Sequence, residues 1–441
     1  MANNRTIPVN AQGAVVTFTL KINGDKIPQT VQVLRLSVQK EINKISLAKV
    51  VVLDGDAASE DFPVSNEELF VPGNMLEIFA GHQSEEDLIF KGEIVKHGIQ
   101  IRQNGTTLLK VEARDIAYKL TLAYKNRYFQ EQTDSEVIED ILGEYEIDHE
   151  LTDTSVTHPE LVQYETRDWD FILSRADVNG RFCLVDDGVF NLIQPDFDQE
   201  SNLTLQFGAT ILEFDAEIDS RMQYKMIKTQ SWDASTQELI EAEAAEPAIE
   251  EQGNLSSSEL AETNSLEEFI LHHNGNLQAN ELQSWADAKL QKSRLAKIRG
   301  RVRLEGYAGA KPGNILTLSG VGDRFNGKVF VSGVRHYLAE GEWETDFQFG
   351  VEPQWFAADR PVHAPLNSGL APGIQGLHIG VVKQIHDDPA GAFRVLVNIP
   401  LIDPDEEGSW CRVASLDAGE NRGFFFRPDV GDEVILGFLN N

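Results

Sequence analysis

Residues 423–441 read GFFFRPDVGDEVILGFLNN, and this stretch indicates more about the fold than any other part of the chain. Three consecutive phenylalanines and a proline lead to a Gly-Asp pair, which is typical of a turn. After the turn, apolar residues alternate with other residues, a pattern that predicts a half-buried β-strand. The candidate packing residues of this stretch are Phe424, Phe425, Phe426, Val434, Leu436 and Phe438.

The predicted strand runs to the end of the sequence without a following partner. An edge strand exposes unpaired N–H and C=O groups, so it needs another strand to pair with. We therefore expect a β-barrel that is completed by another chain or by residues that follow position 441.

Length and composition favour a multidomain globular protein. A chain of 441 residues exceeds what one hydrophobic core usually supports. No apolar run is long enough to cross a bilayer, and the first ten residues, MANNRTIPVN, lack the apolar core of a signal peptide. These features predict a soluble protein that is made in the cytoplasm.

The formal net charge of −33 argues against nucleic acid as a partner. Binding to phosphates draws on clustered Lys and Arg, and an acidic surface repels a polyanion. The two cysteines, Cys183 and Cys411, lie in strand-like apolar segments far apart in sequence. They are predicted to be buried thiols rather than a disulfide or a metal site.

Short alternating segments predict strands throughout the first hundred residues. Alternation over residues 16–22 predicts a strand, and Asn23-Gly24 predicts a hairpin turn into a strand over 31–38. Further strands are predicted at residues 45–53, 75–80, 87–100 and 106–113. Short strands separated by Gly, Asn and Asp are typical of a sandwich or barrel.

Two helices are predicted next. Thr133 and Glu136 have the spacing of a capping box before an apolar stripe, and a second helix is predicted over 168–179, ended by Gly180. A hairpin follows at once. Strands are predicted again over 203–232 and from residue 298 onward.

Residues 233–295 differ in composition, being rich in Glu, Ala, Gln and Ser, and they are predicted to form a helical insertion. Ser265 and Glu268 have the spacing of another capping box. On such a helix Glu267 and Glu268 would lie one turn from His272 and His273. Because no third metal ligand is in view, we interpret this set as a solvated helix face.

Three arginines alternate along one predicted strand. Arg299, Arg301 and Arg303 share a strand face opposite to Ile298, Gly300, Val302 and Leu304. In so acidic a chain they need partners. Cross-strand pairing with carboxylates of the same sheet is one interpretation, and a subunit interface or the wall of a channel is the other.

Catalytic motifs are weak or missing. Asp54, Asp56, Glu60 and Asp61 resemble a calcium loop only loosely, because the loop lacks its glycine and its closing glutamate. No nucleophile elbow, phosphate loop or dinucleotide fingerprint has its required context. We therefore predict a protein that is not an enzyme and needs no cofactor.

Three stretches together resemble the VgrG family, the spike proteins of type VI secretion and related contractile injection systems. The stretches are TRDWDFILSRADVNGRFCLVDDG at 166–188, GNILTLSGVGDRFNGKVFVSGVRHYLAEGEWETDFQFG at 313–350 and the carboxy-terminal stretch. Their order and separation also resemble the family pattern, so the resemblance covers nearly the whole chain.

The resemblance implies a mainly β protein with α/β elements, in which phage-hub-like tandem β-barrels precede an OB-type β-barrel, and which is homotrimeric. The implied domains are a first hub barrel at 1–115, a peripheral α/β domain at 116–202, a second hub barrel at 203–232 plus 296–352, a helical insertion at 233–295, a linker at 353–373 and an OB-type neck at 374–441. The three arginines would then be inter-subunit or channel-facing, and the carboxy-terminal apolar residues would pack the neck or the trimer.

The resemblance also implies a role and partners. Such a trimer joins a hexameric inner tube protein and baseplate proteins to a membrane-piercing tip, and it helps to deliver cargo. A PAAR-type tip protein and cargo effectors are implied where a carboxy-terminal needle exists. The protein would assemble in the bacterial cytoplasm and then become part of a secreted or envelope-spanning particle.

The sequence departs from the family pattern at its end, where a last barrel strand and a Val- and Gly-rich β-helix would follow. Either the natural chain continues beyond residue 441 or the spike is blunt, and we expect the first, because a barrel needs its remaining strand to close. Two alternatives stay open: a phage baseplate hub associated with cell-wall hydrolysis, and a β-barrel module that binds carbohydrate or nucleic acid.

Overall fold

The computed structural model describes residues 15–103, 105–233, 236–275, 277–363, 374–420 and 422–438. The chain divides into two compact units, residues 1–363 and residues 364–441. Part of the predicted linker, residues 364–373, and the last three residues of the predicted terminal strand region lie outside the described residues. Among the described residues, no helix is both long and apolar enough to span a membrane.

The elements of the first unit alternate between strands and a few helices. Its strands are β1 Val16–Ile22, β2 Asp25–Lys26, β3 Val33–Glu41, β4 Leu47–Leu53, β5 Met75–His82, β6 Glu85–Ile101, β7 Thr107–Arg114, β8 Tyr124–Thr133, β9 Asp148–Leu151, β10 Thr157–Arg167, β11 Phe182–Asp186, β12 Val189–Ile193, β13 Leu203–Gln206, β14 Glu213–Ile218, β15 Ile227–Asp233, β16 Glu238–Glu243, β17 Phe269–His273, β18 Ile298–Glu305, β19 Ile315–Ser319, β20 Gly327–Ala339 and β21 Glu342–Phe349. Its helices are α1 Pro63–Asn66, α2 Asp134–Gly143, α3 Asp168–Val178, α4 Ser257–Glu262, α5 Ala279–Leu295 and α6 Phe356–Asp359, with short 3-10 turns at Glu68–Phe70 and Ile116–Thr121.

The second unit contains only strands in its described part. These are β22 Leu377–Gln384, β23 Val395–Asn398, β24 Ser409–Cys411, β25 Ala418–Gly419, β26 Arg422–Gly423 and β27 Glu433–Gly437. The mainly β fold predicted from the sequence is confirmed.

One large sheet organises the first unit. It has 13 strands in the order β14-β18-β21-β20-β3-β4-β7-β6-β5-β1-β2, and β13 and β19 join it through β20. The predicted turn at Asn23-Gly24 is present, with φ of 52° and 91°, but it leads into the two-residue strand β2. Over its whole length, β1 pairs with β5. Leu20 and Ile78, which lie opposite each other in this pair, are both buried in the same core.

Two hydrophobic cores lie along this sheet. The first collects side chains of β1 and β3–β7, with Leu338 and Trp343 from β20 and β21. The second collects side chains of β13, β18, β19, β20 and β21. Because β20 pairs with β3 from Gly333 to Ala339, the strands of both cores form one continuous hydrogen-bonded sheet.

In sequence, an α/β region lies between the strands of the first core and those of the second core. This region has its own core, in which α2 and α3 pack on β11 and β12. The predicted capping box at Thr133 and Glu136 is present at the start of α2. The predicted second helix is α3, and Gly180 after it has φ of 64°. Asp187 and Gly188 form the predicted hairpin turn with φ of 57° and 96°.

The segment 233–295 is only partly helical, which corrects the sequence interpretation. Strands β16 and β17 flank β15 in a three-stranded sheet, and α5 packs against it. The predicted capping box at Ser265 does not start a helix, because residues 269–273 pair with β15 as a parallel strand. His272 and His273 therefore lie on a strand, not one helical turn from Glu267 and Glu268. The capping boxes used instead begin at Ser256 and Gln278.

The second unit is a small open sheet with a small core. Its strand order is β24-β23-β22-β27, and Val382, Val395 and Val397 form the buried cluster. The predicted alternation in β27 is confirmed, since Val434 and Leu436 pack on that cluster while Glu433 and Ile435 are exposed. Cys183 is buried as predicted, whereas Cys411 is only half-buried because it lies on an edge strand of this sheet.

Asp168 fixes the start of α3 and explains the acidic residue before the Trp-Asp-Phe sequence. Its carboxylate is buried and accepts hydrogen bonds from Arg127 at 2.6 Å, Tyr145 at 2.6 Å and Gln163 at 2.9 Å, with Lys125 at 2.9 Å. Burial alone would raise the pKa of Asp168, but these hydrogen bonds hold that pKa below its usual value. The ionised carboxylate therefore joins β8, β10 and α3.

Replacing this carboxylate should destabilise the region around α3. We expect Asp168→Asn to cost about 3 kcal/mol of local stability, because it leaves buried donors without a charged acceptor. Hydrogen–deuterium exchange of residues 168–178 measures this local opening.

Glu144→Gln is a matched control, because Glu144 is exposed and contacts the same cations, Lys125 and Arg127. It should cost less than about 1 kcal/mol, as exposed ion pairs do. Equal exchange in the two variants would contradict the role given to Asp168.

A buried histidine links the α/β region to α5. His158 Nε2 lies 3.0 Å from Asp134 Oδ2, and its Nδ1 lies 3.0 Å from Glu281 Oε1. Burial alone would lower the pKa of His158, but hydrogen bonds to the two carboxylates raise it to about 9. His158 is therefore a doubly paired cation at neutral pH.

The stability contributed by His158 should depend on pH. It is fully present below the unfolded pKa of about 6.5 and is lost as pH rises through the folded pKa. Wild-type protein should therefore lose more stability than His158→Gln between about pH 7 and about pH 10 in thermal unfolding. Identical pH profiles for His158→Gln and wild type would contradict the assignment.

Candidate assembly surfaces

The three predicted arginines lie on β18, between β14 and β21. Register places Arg301 opposite Asp215 on one side, and Arg303 opposite Asp346 on the other. The alternate residues Ile298, Val302 and Leu304 point into the second core, as the sequence pattern predicted.

We call Arg299, Arg301 and Arg303 the arginine ladder. Each of these arginines contacts carboxylates of its own chain. Arg303 donates to both oxygens of Asp346, at 2.6 Å and 3.1 Å. The remaining contacts within 4 Å are Arg299 with Glu217, Asp219 and Glu352, Arg301 with Glu213, Asp215 and Asp346, and Arg303 with Glu213 and Glu344. The hydrogen bonds to Asp346 raise the pKa of Arg303 above its already high value.

The cross-strand pairing considered from the sequence is therefore present. It does not exclude an interface, because the side chain of Arg301 is still 41% exposed and those of Asp215 and Glu217 are 77% and 69% exposed. β14 is also an edge strand of the large sheet. An inter-subunit or channel-facing position for the three arginines stays a prediction.

The predicted carboxy-terminal packing residues separate into two groups. Val434 and Leu436 pack on the unit's own core, and the ring of Phe438 meets His378 edge-on at 5.6 Å. Phe424, Phe425 and Phe426 are instead 59%, 58% and 75% exposed. A role of these residues in trimer packing stays a prediction.

The second unit exposes more apolar surface than this triplet. Leu377, Ile379 and Ile435 are 75%, 56% and 72% exposed, and Ile379 lies opposite Ile435 in the sheet. The alternation of β-strands places these three side chains on one outer face. Contiguous exposed apolar surface of this kind marks an interaction site.

The acidic residues that resembled a calcium loop have other roles. Asp54 accepts the backbone N–H groups of Val64 and Ser65 at the start of α1, and Asp56 accepts from Ala58 and Ser59. Within the part of the chain that the structure describes, no group of three His, Cys, Asp or Glu residues could hold a metal ion.

The fold is similar to that of two tail proteins of known structure. The tail protein from Neisseria meningitidis MC58 superposes with a TM-score of 0.57 at 13% identity, covering 78% of this chain and 98% of that one. The 43 kDa tail protein of prophage MuSo2 from Shewanella oneidensis gives a TM-score of 0.56 at 10% identity, covering 77% and 98%. An E. coli component of the type VI secretion system gives 0.48 at 15% identity, covering 96% of each chain.

Two family models match this chain, one over residues 12–340 and the other over residues 378–441. Residues 378–441 match the type VI secretion system/phage-baseplate injector OB domain, which confirms the resemblance to VgrG-type spike proteins. Residues 12–340 match the Alg8 N-terminal domain, and the chain belongs to this family. The chain matches none of the curated proteins with which it was compared.

Proposed function

We propose that this protein is a structural hub and spike of a contractile injection system, and that three copies assemble around a common axis. The match of residues 378–441 to an injector OB domain carries this proposal. The likeness of the fold to two tail proteins supports a structural role beside it. We propose no catalytic step for the chain.

The second unit supports the trimer on physical grounds. Its small core and exposed apolar face leave it short of buried surface, and a unit of this size seldom gains enough stability from one core alone. Its sheet is open at β24 and β27, so each edge can pair with a further strand. Cyclic assembly would cover both features.

The two halves of the large sheet support the proposed joint to the inner tube. Each half has its own core, so three chains would present six modules to a tube that we propose to have six-fold symmetry. Baseplate proteins, a tip protein and cargo effectors are the further partners we propose. On this proposal the protein assembles in the bacterial cytoplasm and leaves as part of the particle.

Sedimentation equilibrium tests the proposed assembly. The wild-type chain should sediment as a trimer, and a Phe424→Ser, Phe425→Ser, Phe426→Ser variant should shift toward monomer, because it removes apolar surface from an interface without touching the core. A loss of about 1 kcal/mol or more for each buried ring is expected. Particle images should show three-fold symmetry.

The matched control is Tyr128→Ser with Tyr164→Ser, since these aromatic residues are 71% and 69% exposed and lie in the first unit, on β8 and β10. This control should remain trimeric. A wild-type chain that stays monomeric at high concentration would rule out the proposed hub.

The arginine ladder gives a second test of the interface. An Arg299→Glu, Arg301→Glu, Arg303→Glu variant should be monomeric if the ladder faces a subunit boundary. Circular dichroism must show an intact fold, because the same change places acids opposite Asp215 and Asp346. A folded variant that remains trimeric would limit the ladder to pairing within one chain.

A further inference from the structure

A second charged feature lies on the polar face of the large sheet. Asp346, Arg335, Gln39 and Leu47 are successive cross-strand neighbours, so the face that carries the arginine ladder continues over β20, β3 and β4. A groove of about 830 Å³ lies on this continuation, over strands β20, β3, β4, β7 and β6. We call it the basic groove.

Each of its five strands contributes one exposed cation. These are Arg335 on β20, Arg35 on β3, Lys49 on β4, Lys110 on β7 and Lys96 on β6. Neighbouring strands lie about 4.8 Å apart, so the cations form a band of about 19 Å across the strands. Such a band is unexpected in a chain of net charge −33.

The cations of the groove outnumber the carboxylates among the described residues that line it, although Glu112 lies directly across the strands from Lys49 and Lys96. Among the described residues that line the groove, Glu112 is the one carboxylate, and it accepts two hydrogen bonds from Arg114, at 3.1 Å and 2.8 Å. The five cations form no ion pair within the described part of the chain. The arginine ladder on the same face differs, because it is surrounded by carboxylates.

Apolar side chains lie between the cations. Val51 faces Arg35 across the strands, Leu47 faces Gln39, and both are half-buried in the wall of the groove. A ligand that fits must therefore combine negative charge with apolar groups.

We propose that the basic groove binds an acidic polypeptide segment with interspersed apolar residues. Carboxylates of the segment would pair with the lysines and arginines, and its apolar side chains would pack on Leu47 and Val51. Charge complementarity supports this partner, because five unpaired cations stand together in an otherwise acidic chain. The proposal concerns a binding surface and does not depend on the trimer.

Nucleic acid fits the groove less well. Binding of single strands uses exposed aromatic rings on which bases stack. Tyr337 is the one aromatic residue among the described residues that line the groove, and its ring faces the guanidinium groups of Arg35 at 6.0 Å and Arg335 at 5.6 Å.

Fluorescence anisotropy on the full chain tests the proposal with a labelled peptide that alternates glutamate with leucine and serine. Binding should be saturable and should weaken as salt is raised, because it rests on exposed charges. A Lys49→Glu, Lys110→Glu variant should bind about tenfold more weakly or worse. The milder Lys49→Gln, Lys110→Gln variant should fall between this variant and the wild type.

Lys26→Glu with Lys383→Glu is the matched control, because both lysines are exposed and lie outside the groove. It should bind like the wild type, and sedimentation should give all variants the same oligomeric state. The proposal is overturned if the peptide does not bind saturably, if the control weakens binding equally, or if oligothymidylate binds more tightly than the peptide. A wild-type chain that is not trimeric would be detected by sedimentation, whereas peptide binding to the groove is measured by anisotropy. The proposed trimer and the proposed groove can therefore fail separately.

Discussion

The pairing of β20 with two sets of neighbours is the constraint on which the first unit depends. Its first part pairs with β19, and its second part pairs with β3 and β21. A bulge between Val331 and Gly333 allows the change of partner, and bulges bend a strand in this way. A Cβ at Gly333 would lie 2.8 Å from Cγ of Glu41, so a larger residue there would require the Glu41 side chain to shift. Both cores receive side chains from this one strand, so neither half of the sheet is complete without it.

Continuity of the sheet also decides its electrostatics. One polar face extends from the acidic edge strand β14, across the arginine ladder, to the basic groove. In the ladder, carboxylates outnumber arginines, so this part of the face carries a net negative charge, and exposed carboxylates remain at the edge. In the groove, cations from five strands meet with one carboxylate that is already bonded. The exposed cations of the groove repel each other because they carry like charges. An acidic partner would neutralise this excess positive charge.

Local signals in the sequence predicted the fold well where the structure depends on neighbours along the chain. The capping box at Thr133, the end of α3 at Gly180 and the alternation in β27 are of this kind. The capping box predicted at Ser265 was wrong, because parallel pairing with β15 outweighs a local helix signal. Carboxylates near the arginine ladder were anticipated, but the basic groove was not. Pairing of β3 with β4, β4 with β7 and β7 with β6 brings four of its cations together, and the pairing of β20 with β3 adds Arg335, which is distant in sequence.

The second unit differs physically from the first. The first unit buries large cores of its own, whereas the second buries three valines in one cluster and exposes three phenylalanines and one apolar sheet face. Little apolar surface is then removed from water to offset the conformational entropy that the unit loses on folding. An assembly that covers this surface would stabilise the unit by mass action, and the stability of the unit would then rise with protein concentration. Folding of the OB-type domain and its assembly are therefore expected to be one coupled process.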